Sequence, residues 1–593
     1  MTKIAAELRS DAASRHEVAD GMRIDWNVPI VMDDGVTLRA DVFRPDDDGR
    51  YPVILCAGPY GKGLHFADGF GSAWRRMTTA YPEIVEGTSN KYQVWEAVDP
   101  EKWVPDGYVC IRIDSRGAGQ SEGFMDVFSE REALDLYQCV EWAGTQPWSS
   151  GKVGTSGISY HATAGWFVGA LRPPHLAAVC AWEGFVDYYR ECARHGGILC
   201  DFLENWYPRQ VTRVQYGLGE RGPRSRISGE PVCGGAMSDD ELAANRADIK
   251  ELIAGHPLID AAYTGRIPDV RQMTVPVLSA GNWGGNCLHL RGNLDGFTDA
   301  DSPQKWLEVH GDTHFSLFYA NYGLALQKQF FGHFLKGEDN GWAERPRVML
   351  NIRRPGERFA LRYENEWPLQ RTRWTNFYLG AGDMTLGTDE PEDETQISFS
   401  AVDGALQFFS EPVETETEIT GPIALTLWVS SSTRDADLFV SFGIFDAAGR
   451  EVTFIGTNDP RTPIGLGWLR ASHRKIDPAR STPARPVHTH DESWPLTPGV
   501  PVELTVEIWP TCIVVPPGYR MGLRISGRDY EYDGTDAGIE DAPYAMKGVG
   551  PFTHTDPVDR PMDIFGGTTT LHFGAGRAPR LLLPIIPDAE DRT

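Results

Sequence analysis

The chain has 593 residues, too many for one hydrophobic core, and predicts two or three domains. With 41% hydrophobic and 23% charged residues its composition is that of an ordinary globular protein. A formal net charge of −27 excludes the basic footprint that nucleic-acid binding needs and disfavours anionic membranes.

Nine cysteines are scattered through the length, an odd number with no C-x-x-C among them. They read as reduced, buried thiols in a cytoplasmic protein, not as a disulfide framework or a zinc site. Met1–His16 has no apolar core of a signal peptide, and no run of about 20 apolar residues could span a membrane.

In chain order, Asn27–Phe43 alternates around a D-D-G turn and predicts a β-hairpin. Tyr51–Ala57 and Tyr108–Asp114 are short apolar runs followed by Gly-containing loops, the pattern of strands buried on both faces. Between Glu130 and Trp142 apolar residues recur at helical spacing. Lys152–Gly154 opens a further strand, Tyr160–Ala170 is helix-compatible, and Leu176–Trp182 is again an apolar run. From Asp187 to Ala262 this rhythm breaks into a segment rich in Arg, Gly, Asp and Glu, with a helical stretch at Asp239–Ile253. Val275–Ala280 and Trp306–His310 resume the strands, so the whole predicts a mostly parallel α/β sheet with an inserted helical cap. Beyond about Arg345, alternating segments such as Pro422–Val429, Leu438–Phe445, Val502–Ile508 and Met521–Ile525 predict an all-β sandwich or jelly roll.

The stretch G-T-S-G-I-S-Y-H-A, Gly154–Ala162, offers two serines to a strand–turn–helix elbow. An elbow nucleophile sits at the apex of the turn, its hydroxyl raised above the sheet. Ser156 falls inside the strand, so the apex is Ser159, with Gly157 two residues before it. His161, two residues after it, stands where a small residue is usual. A serine needs a base. In W-L-E-V-H-G-D-T-H-F, His310 ends a strand and reads as core, whereas His314 lies in the loop beyond, placed to reach over the sheet edge.

Cys56–Tyr60 (C-A-G-P-Y), Asp114–Gly123 (D-S-R-G-A-G-Q-S-E-G) and Gly157–Ala162 (G-I-S-Y-H-A) together resemble the cocaine esterase and X-prolyl dipeptidyl-peptidase family of serine hydrolases. Thr417–Ser430 and Val514–Ser526 resemble that family's C-terminal jelly roll. The resemblance implies an α/β-hydrolase core, 20–186 and 263–345, a helical cap, 187–262, and a jelly-roll β-sandwich, 346–593. It also implies hydrolysis of carboxylic esters or acyl amides without a cofactor or a metal. The oxyanion donors it implies are the backbone N–H of Tyr160 and the hydroxyl of Tyr60. In the cap, the aromatic stretch Phe202–Tyr207 is expected to wall the site through Trp206 and Tyr207, and Trp182 and Trp283 are taken as further substrate-binding residues.

The acid is where the sequence departs from the family. In V-P-V-L-S-A-G-N-W-G, the aspartate's usual place is taken by Gly284. Glu183, ending the preceding strand, is the leading candidate to orient His314, and Asp295 is the alternative. The chain order Ser159, Glu183, His314 is the order an α/β-hydrolase requires. The expected protein is therefore a serine esterase, with lactones among its substrates. An aminopeptidase, holding a substrate ammonium with Glu191, Asp201 or Glu204, and a non-catalytic carbohydrate-binding protein are the rivals. The expected partner is a small ester, lactone or amide; a homo-oligomer is left open.

Overall fold

The computed structural model describes residues 14–538 and 544–587. The amino-terminal reading and the last residues of the C-terminal domain fall largely outside them.

The first sheet has 11 strands. Its first seven are β1 (Arg15–Ala19), β2 (Met22–Val31), β3 (Thr37–Pro45), β4 (Tyr51–Gly58), β5 (Val109–Asp114), β6 (Ser149–Ile158) and β7 (Leu176–Trp182). Across the sheet the order is β1-β2-β3-β5-β4-β6-β7, followed by Val277–Asn282, Lys305–His310, Val348–Arg354 and Arg358–Glu364. From β5 to Val348–Arg354 all neighbours are parallel, and the edges are antiparallel. The apolar runs read from the sequence are these central strands. Val53, Ile54 and Leu55 of β4 are all buried, as a strand covered by helices on both faces requires. Each such side chain contributes roughly 1.5–3 kcal/mol of hydrophobic stabilisation.

Helix Glu130–Gly144 starts at Ser129, whose side chain accepts from the Glu132 N–H at 3.3 Å, and lays Leu136, Cys139, Val140 and Ala143 against the sheet. Helix Tyr160–Leu171 follows β6 after a single residue, Ser159. Residues 188–264 form short helical pieces above the carboxyl ends of the strands. The helix expected over Asp239–Ile253 is two, Asp239–Ala244 and Ile249–Gly255, because Asp248 starts a second helix by capping the Glu251 N–H at 2.9 Å.

Residues 348–364 extend the first sheet, not the second, because Leu307–Val309 pair in parallel with Val348–Leu350. The expected change of architecture at residue 346 therefore comes two strands later in the chain. From Arg373 onward the strands form a separate 11-stranded, barrel-like sheet centred on the long antiparallel pair Thr417–Ser431 and Val502–Val515. Its interior is aliphatic, with Ile419, Leu425, Leu427, Val506 and Ile508 all fully buried. Buried Arg353 ties the two sheets, donating to the Cys512 carbonyl and the Thr511 hydroxyl at 2.7 Å each. All nine cysteines are free and buried.

Candidate active site

Ser159 is the residue between β6 and the helix, at φ 57° and ψ −111°. A non-glycine residue held there stores roughly 1–3 kcal/mol of strain, so its surroundings must fix it. They do so with backbone bonds: Ser159 N–H donates to Trp182 O at 3.0 Å, and Ser159 O accepts from Thr163 N–H at 2.8 Å. Gly157 leaves room for the turn, since a Cβ there would come within 2.5 Å of His161 and 2.9 Å of Glu96 O. His161 fits because Gly58 has no side chain: a Cβ on Gly58 would lie 2.5 Å from the imidazole. The ring then donates through Nδ1 to Ala57 O at 2.9 Å.

Tyr60 follows β4, and its hydroxyl hydrogen-bonds Ser159 and accepts from Trp206 Nε1 at 3.3 Å. Burial, with the Glu96 charge adding to it, holds the phenol well above its usual range, so it remains an O–H donor. Tyr160 is the first residue of its helix, where a backbone N–H has no intrahelical acceptor. Its side chain points elsewhere, bonding Glu132, whose carboxyl burial pushes up to about 7.

Glu183 ends β7 at φ 51° and is fully buried. Its Oε2 accepts from His314 Nδ1 at 2.8 Å, and its Oε1 accepts from His310 Nε2 at 3.1 Å and from Asn282 Nδ2 at 3.2 Å. His310 Nδ1 reaches Glu308 Oε2 at 2.7 Å, and His314 Nε2 reaches Glu96 Oε1 at 3.2 Å. Carboxylates and imidazoles thus alternate in a buried chain: Glu308, His310, Glu183, His314, Glu96. Burial alone would push His314 down, but Glu183 and then Glu96 outweigh it and raise it to about 10. His310 rises to about 10 in the same way, between Glu308 and Glu183. Burial would raise Glu183, and the two imidazoles, His314 first, hold it below its usual range instead.

The imidazole in contact with Ser159 is a third one. His289 Nε2 lies 3.1 Å from Ser159 Oγ, and the ring stacks on His314 with centroids 5.3 Å apart and planes 12° from parallel. Its Nδ1 is buried without a partner. Burial, with the His314 charge added, holds His289 well below its usual range, so it is neutral.

The structure brings Ser159, Tyr60, Glu183, His314 and Trp206 together. Trp206 stacks on the Tyr160 ring, centroids 6.1 Å apart, and Tyr207 packs behind it with its hydroxyl on Ala247 O at 3.1 Å. Two expected substrate contacts are not there. Trp182 is fully buried against His310 and Phe318, under the strand ends. Trp283 is fully buried among Leu290, Leu307 and Val309, with its Nε1 on Asn351 O at 2.9 Å. Large aromatics at strand ends can close a core as readily as a pocket. Asp295 touches no imidazole: it pairs with Arg291 at 3.0 Å and Arg485 at 2.8 Å. At Gly284 an added Cβ would lie 2.4 Å from Gly456 Cα, because a loop of the C-terminal domain fills the place of an acid there.

His289 and Glu96 are residues of the site that the sequence pattern did not single out. His289 lies five residues past Gly284 in the very loop searched for an acid, so a search for any titratable group there would have found it. Glu96 comes from the long connection after β4, at φ 62°, and no periodicity marks it.

Residues 34–316 match the X-Pro dipeptidyl-peptidase (S15 family) domain, and residues 340–581 match the X-Pro dipeptidyl-peptidase C-terminal non-catalytic domain. The chain belongs to the S15 X-Pro dipeptidyl-peptidase family. A cocaine esterase of Rhodococcus sp. is 24% identical over 585 residues, covering 86% of this chain and 91% of its own. A CocE/NonD family hydrolase from Staphylococcus aureus superposes with a TM-score of 0.82 at 28% identity, covering 97% of each chain. An aminopeptidase from a marine sediment Thaumarchaeota archaeon shares the fold, with a TM-score of 0.66 at 16% identity over 98% of this chain and 99% of its own. This S15 member is a hydrolase. Among the described residues no helix is long and apolar enough to cross a membrane.

Proposed function

We propose that the protein hydrolyses carboxylic esters, lactones among them, through an acyl-Ser159 intermediate. The observation that carries this reading is the strained Ser159 elbow, 3.1 Å from His289, whose ring stacks on His314, which in turn has Glu183 on its Nδ1 at 2.8 Å. Ser159 Oγ attacks the acyl carbonyl, and the developing oxyanion takes hydrogen bonds from the Tyr60 hydroxyl and the Tyr160 N–H. His314 takes the serine proton, which requires its Nε2 to leave Glu96; Glu183 fixes the tautomer and offsets the charge. The imidazolium then protonates the leaving alkoxide, and water attacks the acyl-serine by the same route. His289 holds the Ser159 hydroxyl in place. Its low basicity and unpartnered Nδ1 make it a poor proton acceptor.

The 3.1 Å contact favours a second reading, in which His289 itself is the base. His314→Gln and His289→Gln separate the two. The first is expected to abolish turnover and the second to reduce it. The reverse ranking makes His289 the base.

Ester chemistry is favoured over aminopeptidase chemistry because the expected ammonium-holding carboxylates are engaged elsewhere. Glu191 pairs with Arg291 at 3.1 Å, Asp201 accepts from the Thr553 hydroxyl at 2.7 Å, and Glu204 pairs with Lys250 at 3.0 Å. A panel of p-nitrophenyl esters, lactones and X-Pro anilides tests this. Ester or lactone turnover without anilide turnover is expected, and the opposite preference makes the protein a peptidase. Inertness toward a serine-directed phosphonate would leave only a binding role.

A further inference from the structure

We propose that His195, Cys200 and His554 form a binding site for a zinc-class transition-metal ion, clipping the segment above the strands to the C-terminal domain. One ligand atom from each lies within 4.8 Å of the other two, and all three residues are buried. They are brought together by a tight two-strand turn. Arg194–His195 pairs with Ile198–Leu199 across Gly196 and Gly197, both at positive φ, 55° and 92°. Gly196 must be glycine for a second reason: a Cβ there would sit 2.1 Å from Trp468 O in the C-terminal domain. The turn presents His195, and Cys200 follows it with its N–H on Ala193 O at 3.0 Å. His554 comes from the C-terminal domain, its N–H held by Asp529 Oδ2 at 2.8 Å.

The hydrogen bonds fix the tautomers. His554 Nδ1 lies 2.7 Å from Asp529 Oδ1, an acceptor, so Nδ1 carries the proton and Nε2 presents a lone pair. His195 Nε2 lies 3.3 Å from Glu191 O, and the Cys287 carbonyl also bears on the ring. These too are acceptors, so His195 Nδ1 presents a lone pair as well. The two lone-pair nitrogens, His195 Nδ1 and His554 Nε2, face each other 3.0 Å apart. Two lone pairs at that distance repel unless a cation lies between them. A metal ion is such a cation. Two nitrogens bound tetrahedrally to zinc stand about 3.3 Å apart, given Zn–N bonds of about 2.0–2.1 Å. A carboxylate behind one ligating imidazole and a carbonyl behind the other are the outer partners such ligands use. Two imidazoles and a thiolate suit zinc or copper and not magnesium or calcium. The Trp468 and Trp509 rings pack on His195, with centroids 4.5 and 5.5 Å away, and screen the site from water. The numbers 195, 200 and 554 make no sequence motif, so spacing alone reads as no metal.

The test is metal analysis of the full chain, purified without chelator, followed by Co(II) titration of chelator-treated protein. The expected results are about one zinc per chain, a thiolate-to-cobalt charge-transfer band, and a Tm raised by added zinc. Cys200→Ser should lose the charge-transfer band, and Cys200→Ser combined with His554→Gln should lose the metal. Wild-type protein that carries no metal and gives no cobalt band overturns the proposal, whatever the variants do. Metal retained at full stoichiometry in the double variant also overturns it, because the ion is then held elsewhere.

Discussion

Glu183→Gln removes one charge from the centre of the carboxylate–imidazole chain while keeping the shape of the side chain. Glu183 is fully buried, and its nearest oxygen is 2.8 Å from His314 Nδ1. At that separation and an effective dielectric of about 20, the attraction between the carboxylate and an imidazolium is about 6 kcal/mol. Part of this is returned, because the variant no longer buries the Glu183 charge. A loss of about 4 kcal/mol in the transition state corresponds to about 10³ in kcat, below the ~10⁴ recorded for a neutralised triad aspartate. The amide also turns its NH2 donor toward the N–H of either His310 or His314, a further cost of roughly 1–3 kcal/mol to stability. Initial rates on a chromogenic ester, set against the site concentration from phosphonate titration, separate the catalytic loss from unfolding. Near-wild-type kcat in Glu183→Gln, with Asp295→Asn crippled, would move the acid to Asp295 and sink the geometric argument.

Ser159→Ala is expected to abolish turnover and phosphonate labelling with the circular dichroism spectrum unchanged; retained activity would place the nucleophile elsewhere. Tyr60→Phe removes only the hydroxyl and should cost about 10²–10³ in kcat, whereas an unchanged kcat would leave Tyr60 as packing. The pH dependence follows from His314, which acts as a base only when neutral and is raised to about 10. The acid limb of kcat/KM should therefore rise on the alkaline side of neutrality. Glu96→Gln removes one of the two carboxylates holding His314 up, so that limb should move about 1–2 units toward acid; a limb that stays put would mean Glu96 does not bear on the base.

The parts of this site legible in the sequence are those fixed by local chain geometry. Ser159 could be found because an elbow is strand, apex and helix within a dozen residues, with Gly157 marking the close approach. His314 and Glu183 could be placed because each follows the end of an apolar strand run, and in a parallel sheet those ends share one edge. What only the tertiary structure decided depends on contacts between distant segments. No pattern around Trp182 or Trp283 says that Phe318 or Leu307 covers them. Gly284 gives no sign that Gly456 of the other domain occupies the space beside it. His289 and Glu96 reach the site from a loop and from a long connection, where no period of 2 or 3.6 residues exists to betray a direction. Periodicity records which face of an element meets its own sheet. It carries nothing about which segment, about 200 or 350 residues away, will press against another, and such contacts are how His314 acquires Glu96 and His195 acquires His554.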